Sequence, residues 1–346
     1  MYSLWVTKDL SLHWLTPFSG KLSDLESVNL ASVRVRTAVA LRAAQTAGWH
    51  SSFGPQIDLK SLGDASCVVV GKPGSNDVEQ LGPLWIKSLA KAKSKAKAVR
   101  CQILVDYTDH HLGVSTELSD FYRKLLPLVD AMIVPSSSLA IQLQAYFSGP
   151  VLVVPDALEV PTTPPVRHNH TPPRALWFGH GTNLIHLAKA LAPIGQQLQG
   201  APLELRVLSN RQAIELFKRA LTAIPDGISL KAGDWSLAAM QAHAAECDFC
   251  LLPSDPRDPR KLGVSSNRLL TALAMGLPVA ASPLASYKEF SEFFVDLEVG
   301  GLSELASAPA RFHDMVVRAQ QTVLPDYLAP SMQMRWLDCL GALMKT

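Results

Sequence analysis

The stretch DFCLLPSDPRDPRKLGVSSNRLLTALAMGLPVAASPLASYKEF, Asp248 to Phe290, decides the architecture. Phe249 to Pro253 is an apolar run of strand length, as a sheet covered on both faces requires. A polar loop follows, with Pro256 and Pro259 beside Arg257 and Arg260, and then a helical pattern from Asn267 to Met275. Gly276 stands where a helix C-cap takes a left-handed residue, and Pro278 opens the next strand, Val279 to Ser282. Strand, long loop, helix, strand is the repeating unit of a parallel sheet.

The loop has a chemistry of its own. A helix N-terminus presents unpaired N–H groups and a partial positive charge, so an anion belongs there. Ser265 or Ser266 can cap the helix, Lys261 adds a full positive charge, and Asn267 and Arg268 add donors. Together they describe a seat for a phosphate or diphosphate; an ordinary serine-capped helix with solvated basic residues is the other reading.

Composition narrows the classes. At 346 residues two domains are expected, and 48% hydrophobic residues against 18% charged allow large buried cores. A net charge of +2 is too small to argue for nucleic acid as a partner. Five scattered cysteines read as reduced thiols, and Cys247 and Cys250, a C-x-x-C without a second pair, read as buried structural residues. The opening MYSLWVTKDLSLHWL lacks the pattern of a signal peptide, and no apolar run approaches the length of a membrane span. The expectation is a soluble, cytoplasmic protein.

Apolar strand-like runs alternate with helical patterns along the chain, the mark of α/β architecture. Strands are expected at Ser11–Leu15, Cys67–Gly71, Ile103–Asp106, Met132–Pro135 and Val151–Pro155. Glu159 to Arg174 then holds five prolines and reads as a linker. A second series follows at Ala175–Gly179, Leu203–Leu208, Ile228–Lys231, Phe249–Pro253 and Val279–Ser282. Two Rossmann-like, doubly wound domains are expected, over 1–157 and 174–328, with a linker at 158–173 between them. Such sheets bind ligands beyond their carboxyl strand ends, here in a cleft between the two domains. A final helix over 329–346 is long enough to return to the first domain.

Three segments carry a resemblance: ALWFGHGTN (Ala175 to Asn183), the strand end LLPS (Leu251 to Ser254) and LLTALAMGLPVAASPLASYKE (Leu269 to Glu289). They resemble the nucleotide-sugar-binding half of GT-B glycosyltransferases, nearest the retaining family-4-like group. LVVPDAL (Leu152 to Leu158) is similar to the segment closing the first domain of these enzymes. The resemblance implies the GT-B fold and transfer of a sugar from a nucleotide diphosphate sugar, of UDP or GDP type, to a glycan, lipid-linked or protein acceptor. A catalytically silent nucleotide-sugar-binding protein and a GT-B-fold epimerase are the other readings. One departure stands out. Many members carry two glutamates eight residues apart, where this chain has Gly263 and Thr271. Lys261 and Ser265 to Arg268 instead resemble a branch reading K-x-x-x-S-x-N-R. The resemblance therefore leaves the stereochemical outcome open and places Thr271 beside the nucleotide.

Other loops receive roles in the same frame. Gly179 and Gly181 let backbone approach a phosphate, or make a simple tight turn. Ser209 and Asn210 end a strand near the nucleotide, and Trp235 follows the strand where this fold holds the base. In the first domain, ILVD runs into Tyr107 to His111, and a histidine suits proton transfer near neutral pH. The resemblance places His110 near the acceptor, with Asp109 as the alternative base. Lys72, Arg34 and Arg36 are candidates to meet an anionic donor or acceptor. Asp255 and Asp258 lie beside arginines, so no metal is expected. Lys87 to Arg100 carries six basic residues and no acidic one, a solvated face or a band for peripheral contact with anionic lipid.

Overall fold

The computed structural model describes residues 10–58, 65–95, 100–165, 168–221 and 223–344. The chain forms two compact units: Met1–Ala157 with Leu262–Ser265 and Tyr327–Thr346, and Leu158–Lys261 with Ser266–Asp326.

The first unit holds a sheet of β1 (Leu10–Leu15), β2 (His50–Gly54), β3 (Ala65–Val70), β4 (Arg100–Asp106), β5 (Ala131–Val134) and β6 (Val151–Val153). Its order is β2-β1-β3-β4-β5-β6, every pair parallel, so the winding direction reverses between β1 and β3. Alternate residues serve opposite faces. Val68, Val70, Ile103 and Val105 pack with Trp85, Leu89 and Phe121, while Cys67, Val69 and Leu104 pack with Leu41, Ala44 and Trp336. Each such aliphatic side chain, removed from water, contributes about 1.5–3 kcal/mol. Trp336 comes from the terminal helix Ala329–Met344 and meets Trp14 edge to face, ring centroids 5.4 Å apart. Sequence reading misses β2. HSSFG is a polar edge strand whose outer residues are exposed, so neither apolar run nor clean alternation marks it.

The second unit holds β7 (Arg174–Phe178), β8 (Leu203–Ser209), β9 (Ile228–Asp234), β10 (Phe249–Leu252), β11 (Val279–Ala281) and β12 (Val295–Asp296). The order β12-β11-β10-β7-β8-β9, again all parallel, is the 3-2-1-4-5-6 winding, with its reversal between β7 and β10. The two-residue β12 is too short to be seen in sequence. Gly276 takes φ +80 after the helix Asn267–Ala274, and a Cβ there would stand 2.5 Å from the Pro164 carbonyl oxygen, so position and conformation both require glycine.

The proline-rich segment is bonded to the second unit at several points. Thr163 N–H donates to the Ala274 carbonyl at 2.8 Å, Gln320 Nε2 donates to the Thr163 carbonyl at 2.7 Å, and the Asp248 carboxylate accepts from Arg174 N–H at 2.7 Å. Its prolines prevent helix or central strand.

Candidate functional site

The reversal between β7 and β10 brings the loop after β7 and the long loop after β10 to neighbouring strand ends. There the guanidinium of Arg268 lies 5.1 Å from the Trp177 ring centroid and 5.8 Å from that of Phe178. Gly179 covers it from above: a Cβ at Gly179 would approach Arg268 Cζ and Nε to 3.2 Å. Arg268 as a whole is half-buried, but its Nε and Nη2 are buried and make no hydrogen bond, and no carboxylate pairs with it among the described residues. Burial, offset only weakly by Tyr287 and Cys250, pulls its pKa below the ordinary arginine value. A charged group enclosed without a counter-ion is costly, and a bound anion is the direct way to compensate it.

Lys261 is half-buried nearby in sequence and donates from Nζ to Asn183 Oδ1 at 2.6 Å, which fixes its stem over the loop that follows β7. Asn183 is a positioning residue that sequence reading leaves without a role. Ser266 occupies the N-cap of the helix Asn267–Ala274, and its side chain makes no cap hydrogen bond. Ser265 belongs with the first unit.

Four expected contacts are reassigned. Ser209 is fully buried and donates its hydroxyl to the Gly179 carbonyl at 2.9 Å, tying the end of β8 to the loop after β7. Asn210 is the N-cap of the helix Arg211–Ala220, its Oδ1 accepting from Ala213 N–H at 2.8 Å. At Gly181 the missing Cβ makes room for the Ala213 side chain, so the glycine serves packing between elements. Thr271 is buried and donates its hydroxyl to Asn267 Oδ1 at 2.9 Å, which orients the Asn267 amide. Trp235 is half-buried at the end of β9, its N–H donating to the Ser209 carbonyl at 2.8 Å. Cys247 and Cys250 are buried free thiols, with burial pushing Cys247 up to about 12, so no redox pair forms there.

In the first unit the reversal between β1 and β3 is closed by Gly71, whose N–H donates to the Leu15 carbonyl at 2.9 Å. A Cβ at Gly71 would stand 2.6 Å from Trp14 Nε1, so only glycine fits. Lys72, just beyond it, forms an ion pair with Asp109 on the loop after β4. Thr108 Oγ1 also donates to the Asp109 carboxylate, at 3.3 Å. His110 is 4% exposed, its Nδ1 has no hydrogen bond, and burial holds its pKa below the ordinary histidine value. It is therefore a neutral imidazole at neutral pH, able to accept a proton. His111 stacks on Tyr122 at 5.6 Å, and burial pushes it down to about 4.

Arg36 does not meet a ligand. It is fully buried, with Nε donating to Asp106 Oδ1 at 2.8 Å and Nη1 to Asp156 Oδ1 at 2.9 Å and the Val154 carbonyl at 2.6 Å. Burial opposes its charge, but Asp106 and Asp156 outweigh burial and raise its pKa. Arg34, in the π-helical turn Val33–Thr37, donates from Nη1 to the Val28 carbonyl at 2.5 Å. In the basic helix, Ser75–Lys95, Lys93 is withdrawn from the expected band: its ammonium donates to the Leu128 carbonyl at 2.9 Å and to Asp130 at 3.0 Å. Lys87 and Lys91 are exposed; the residues 96–99 of that run lie outside the described ones.

Comparison with solved structures decides the fold. Sucrose-phosphate synthase from Thermosynechococcus elongatus superposes with a TM-score of 0.62 at 11% identity, covering 97% of this chain and 99% of that one. The fold is GT-B. Anabaena HepE, solved with UDP and glucose, is another GT-B neighbour, with a TM-score of 0.58 at 12% identity over 96% of this chain and 100% of that one. TarM matches over 81% of this chain with a TM-score of 0.57 at 10% identity. The chain spans little more than half of TarM and of the GtfA/B complex chain, 56% and 59% of their lengths. No protein-family model and no curated protein sequence matches it. No described helix is long and apolar enough to cross a membrane.

Proposed function

We propose that this GT-B chain is a glycosyltransferase whose second unit seats the diphosphate of a nucleotide diphosphate sugar, of UDP or GDP type, on Arg268, Lys261 and the N-terminus of the helix Asn267–Ala274. The observation that carries this reading is the guanidinium of Arg268, enclosed against Trp177 under Gly179 with no carboxylate paired to it. The neighbours add support, since HepE was solved with UDP and glucose and an S. aureus TarM mutant with UDP, fondaparinux and α-GlcNAc-glycerol.

In the reaction, the bond between the anomeric carbon and the diphosphate oxygen breaks, and its electron pair leaves with the nucleoside diphosphate. Arg268, Lys261 and the helix N–H groups stabilise that developing charge without a metal ion. The acceptor oxygen forms the new bond, and its proton passes to His110, or to Asp109 held by Lys72. Gly179 packs over Arg268 and Asn183 holds Lys261, while Trp235 flanks the nucleotide. The acceptor is a glycan, lipid-linked or protein hydroxyl, with Lys87 and Lys91 exposed for a peripheral contact with anionic lipid.

Incubation with a panel of UDP-, GDP-, dTDP- and CMP-sugars, followed by release of the nucleotide, tests this. One donor is hydrolysed slowly without acceptor, and Lys261→Ala lowers the rate roughly 10-fold or more. Equal turnover in that variant contradicts the seat, and binding of a donor without any turnover or transfer contradicts the activity.

A further inference from the structure

A cavity of about 270 Å³ lies in the second unit between the helix Leu184–Leu198 and the carboxyl ends of β10, β11 and β12. None of Gly179, Lys261, Asn267 or Arg268 lines it. One wall is a single helix face, on which His186, Ala190, Ile194 and Gln197 recur at helical spacing. The facing wall is the start of the loop that later carries Lys261, including Ser254, Asp255 and Pro256.

Two polar groups in this cavity are buried without partners. His186 is 5% exposed, and neither ring nitrogen makes a hydrogen bond; the nearest carboxylate oxygen, Asp258 Oδ2, stands 3.7 Å from Nε2. Gln197 donates from Nε2 to the Leu297 carbonyl at 2.7 Å, which fixes its amide and leaves Oε1 buried with no donor. Each such orphan costs about 1–3 kcal/mol unless an occupant satisfies it. Burial first, and then the charge of Lys261, hold the His186 pKa below the ordinary value, so the imidazole is neutral, one nitrogen donating and the other accepting.

The occupant's chemistry follows from this inventory. The rim carries the exposed Lys189 and Arg257, and the Arg257 backbone N–H already donates to Asp255 Oδ1 at 3.0 Å. Deeper in, Gln197 Oε1 accepts only and needs an O–H or N–H donor, which a carboxylate lacks and a hydroxyl supplies. His186 needs one donor and one acceptor, which a hydroxyl supplies. Pro193, Ile194 and Pro256 give apolar surface for a C–H face. The volume is just below the ~300–1,000 Å³ of drug-sized sites. The geometry points to a binding site here for one uncharged sugar ring, separate from the donor diphosphate seat. The ring hydroxyls donate to Gln197 Oε1 and Asp255 and exchange a donor and an acceptor with His186.

Calorimetry and saturation-transfer NMR on the full chain test it, with methyl glycosides of glucose, galactose, mannose and N-acetylglucosamine as probes and inorganic phosphate as the anionic control. Each titration is run with and without saturating UDP, so the result is readable whether or not the donor seat is assigned correctly. One glycoside binds saturably in both conditions. Gln197→Leu weakens it roughly 10-fold, the loss of a buried hydrogen-bond acceptor. Ala190→Phe, which fills the cavity from the helix side, abolishes it; Ala190→Leu gives the same readout if the larger side chain prevents folding. Binding of phosphate in place of a glycoside, binding of no glycoside, or unchanged glycoside affinity in the cavity-filling variant each overturns the proposal.

Discussion

Two arginines, one in each unit, are built alike and finished differently. Arg36 and Arg268 each place the guanidinium carbon 5.1 Å from a buried tryptophan ring, Trp336 in the first unit and Trp177 in the second. Arg36 is then closed by Asp106, Asp156 and the Val154 carbonyl, whereas Arg268 lies over the rings of Trp177 and Phe178 with no carboxylate paired to it among the described residues. The pKa directions follow: two carboxylates raise Arg36, and uncompensated burial lowers Arg268. A buried charge that the protein neutralises itself is architecture. One that it leaves unneutralised is a seat for an external anion.

The largest way to break this comparison is at the compensated end. Arg36→Met leaves Asp106 buried without its partner and is expected to cost about 3–5 kcal/mol in denaturant unfolding. Adding Asp106→Leu recovers part of that loss, because the pair is then removed together. A cost below ~1 kcal/mol for Arg36→Met shows that the triad is not holding the first unit.

A second test concerns Gly263. A Cβ at Gly263 would stand 2.5 Å from Leu139 Cδ1 and 2.8 Å from Leu139 Cα, and the Gly263 carbonyl accepts from Ser136 Oγ at 3.1 Å. Gly263→Ala is therefore expected to cost about 1–3 kcal/mol by overpacking, and Gly263→Glu more. Unchanged stability in the glutamate variant contradicts the steric argument.

A smaller effect is read against pH. The folded His111, pushed down to about 4, sits below its unfolded value of 6.5. Between those values the unfolded state binds more protons, so stability is full above the unfolded value and falls as pH drops toward the folded one. The slope contributed is about 1.4 kcal/mol per pH unit at most. His111→Phe keeps the ring against Tyr122 and removes one proton's worth of that slope, as equilibrium unfolding across the window measures; an identical slope in the variant contradicts the burial argument.

The periodicity of apolar runs was enough to read ten of the strands from sequence, as in Leu203–Leu208 and Phe249–Pro253, because strands buried on both faces are continuous apolar segments. The edge strand His50–Gly54 and the two-residue Val295–Asp296 carry no such signal. The basic residues of the phosphate seat were legible because charge and a helix start are local features. Burial was not. Sequence reading treats Arg36 and Arg268 as the same kind of donor, since the carboxylates that close Arg36 lie 70 and 120 residues away. Ser209 finds its partner thirty residues away at Gly179, whereas Asn210 and Thr271 bond within their own helices, at Ala213 and Asn267.

The central claim rests on Arg268, and thermal unfolding of the wild type and Arg268→Met with and without UDP or GDP tests it most directly. Without ligand the variant melts at the same temperature as the wild type or higher, because an uncompensated buried charge has been replaced by an apolar side chain of similar length. With nucleoside diphosphate the wild type is stabilised, by about 2.7 kcal/mol at a hundredfold excess over Kd, and the variant loses most of that gain. A variant that unfolds early without ligand, yet gains the same stabilisation from the nucleotide, contradicts the account.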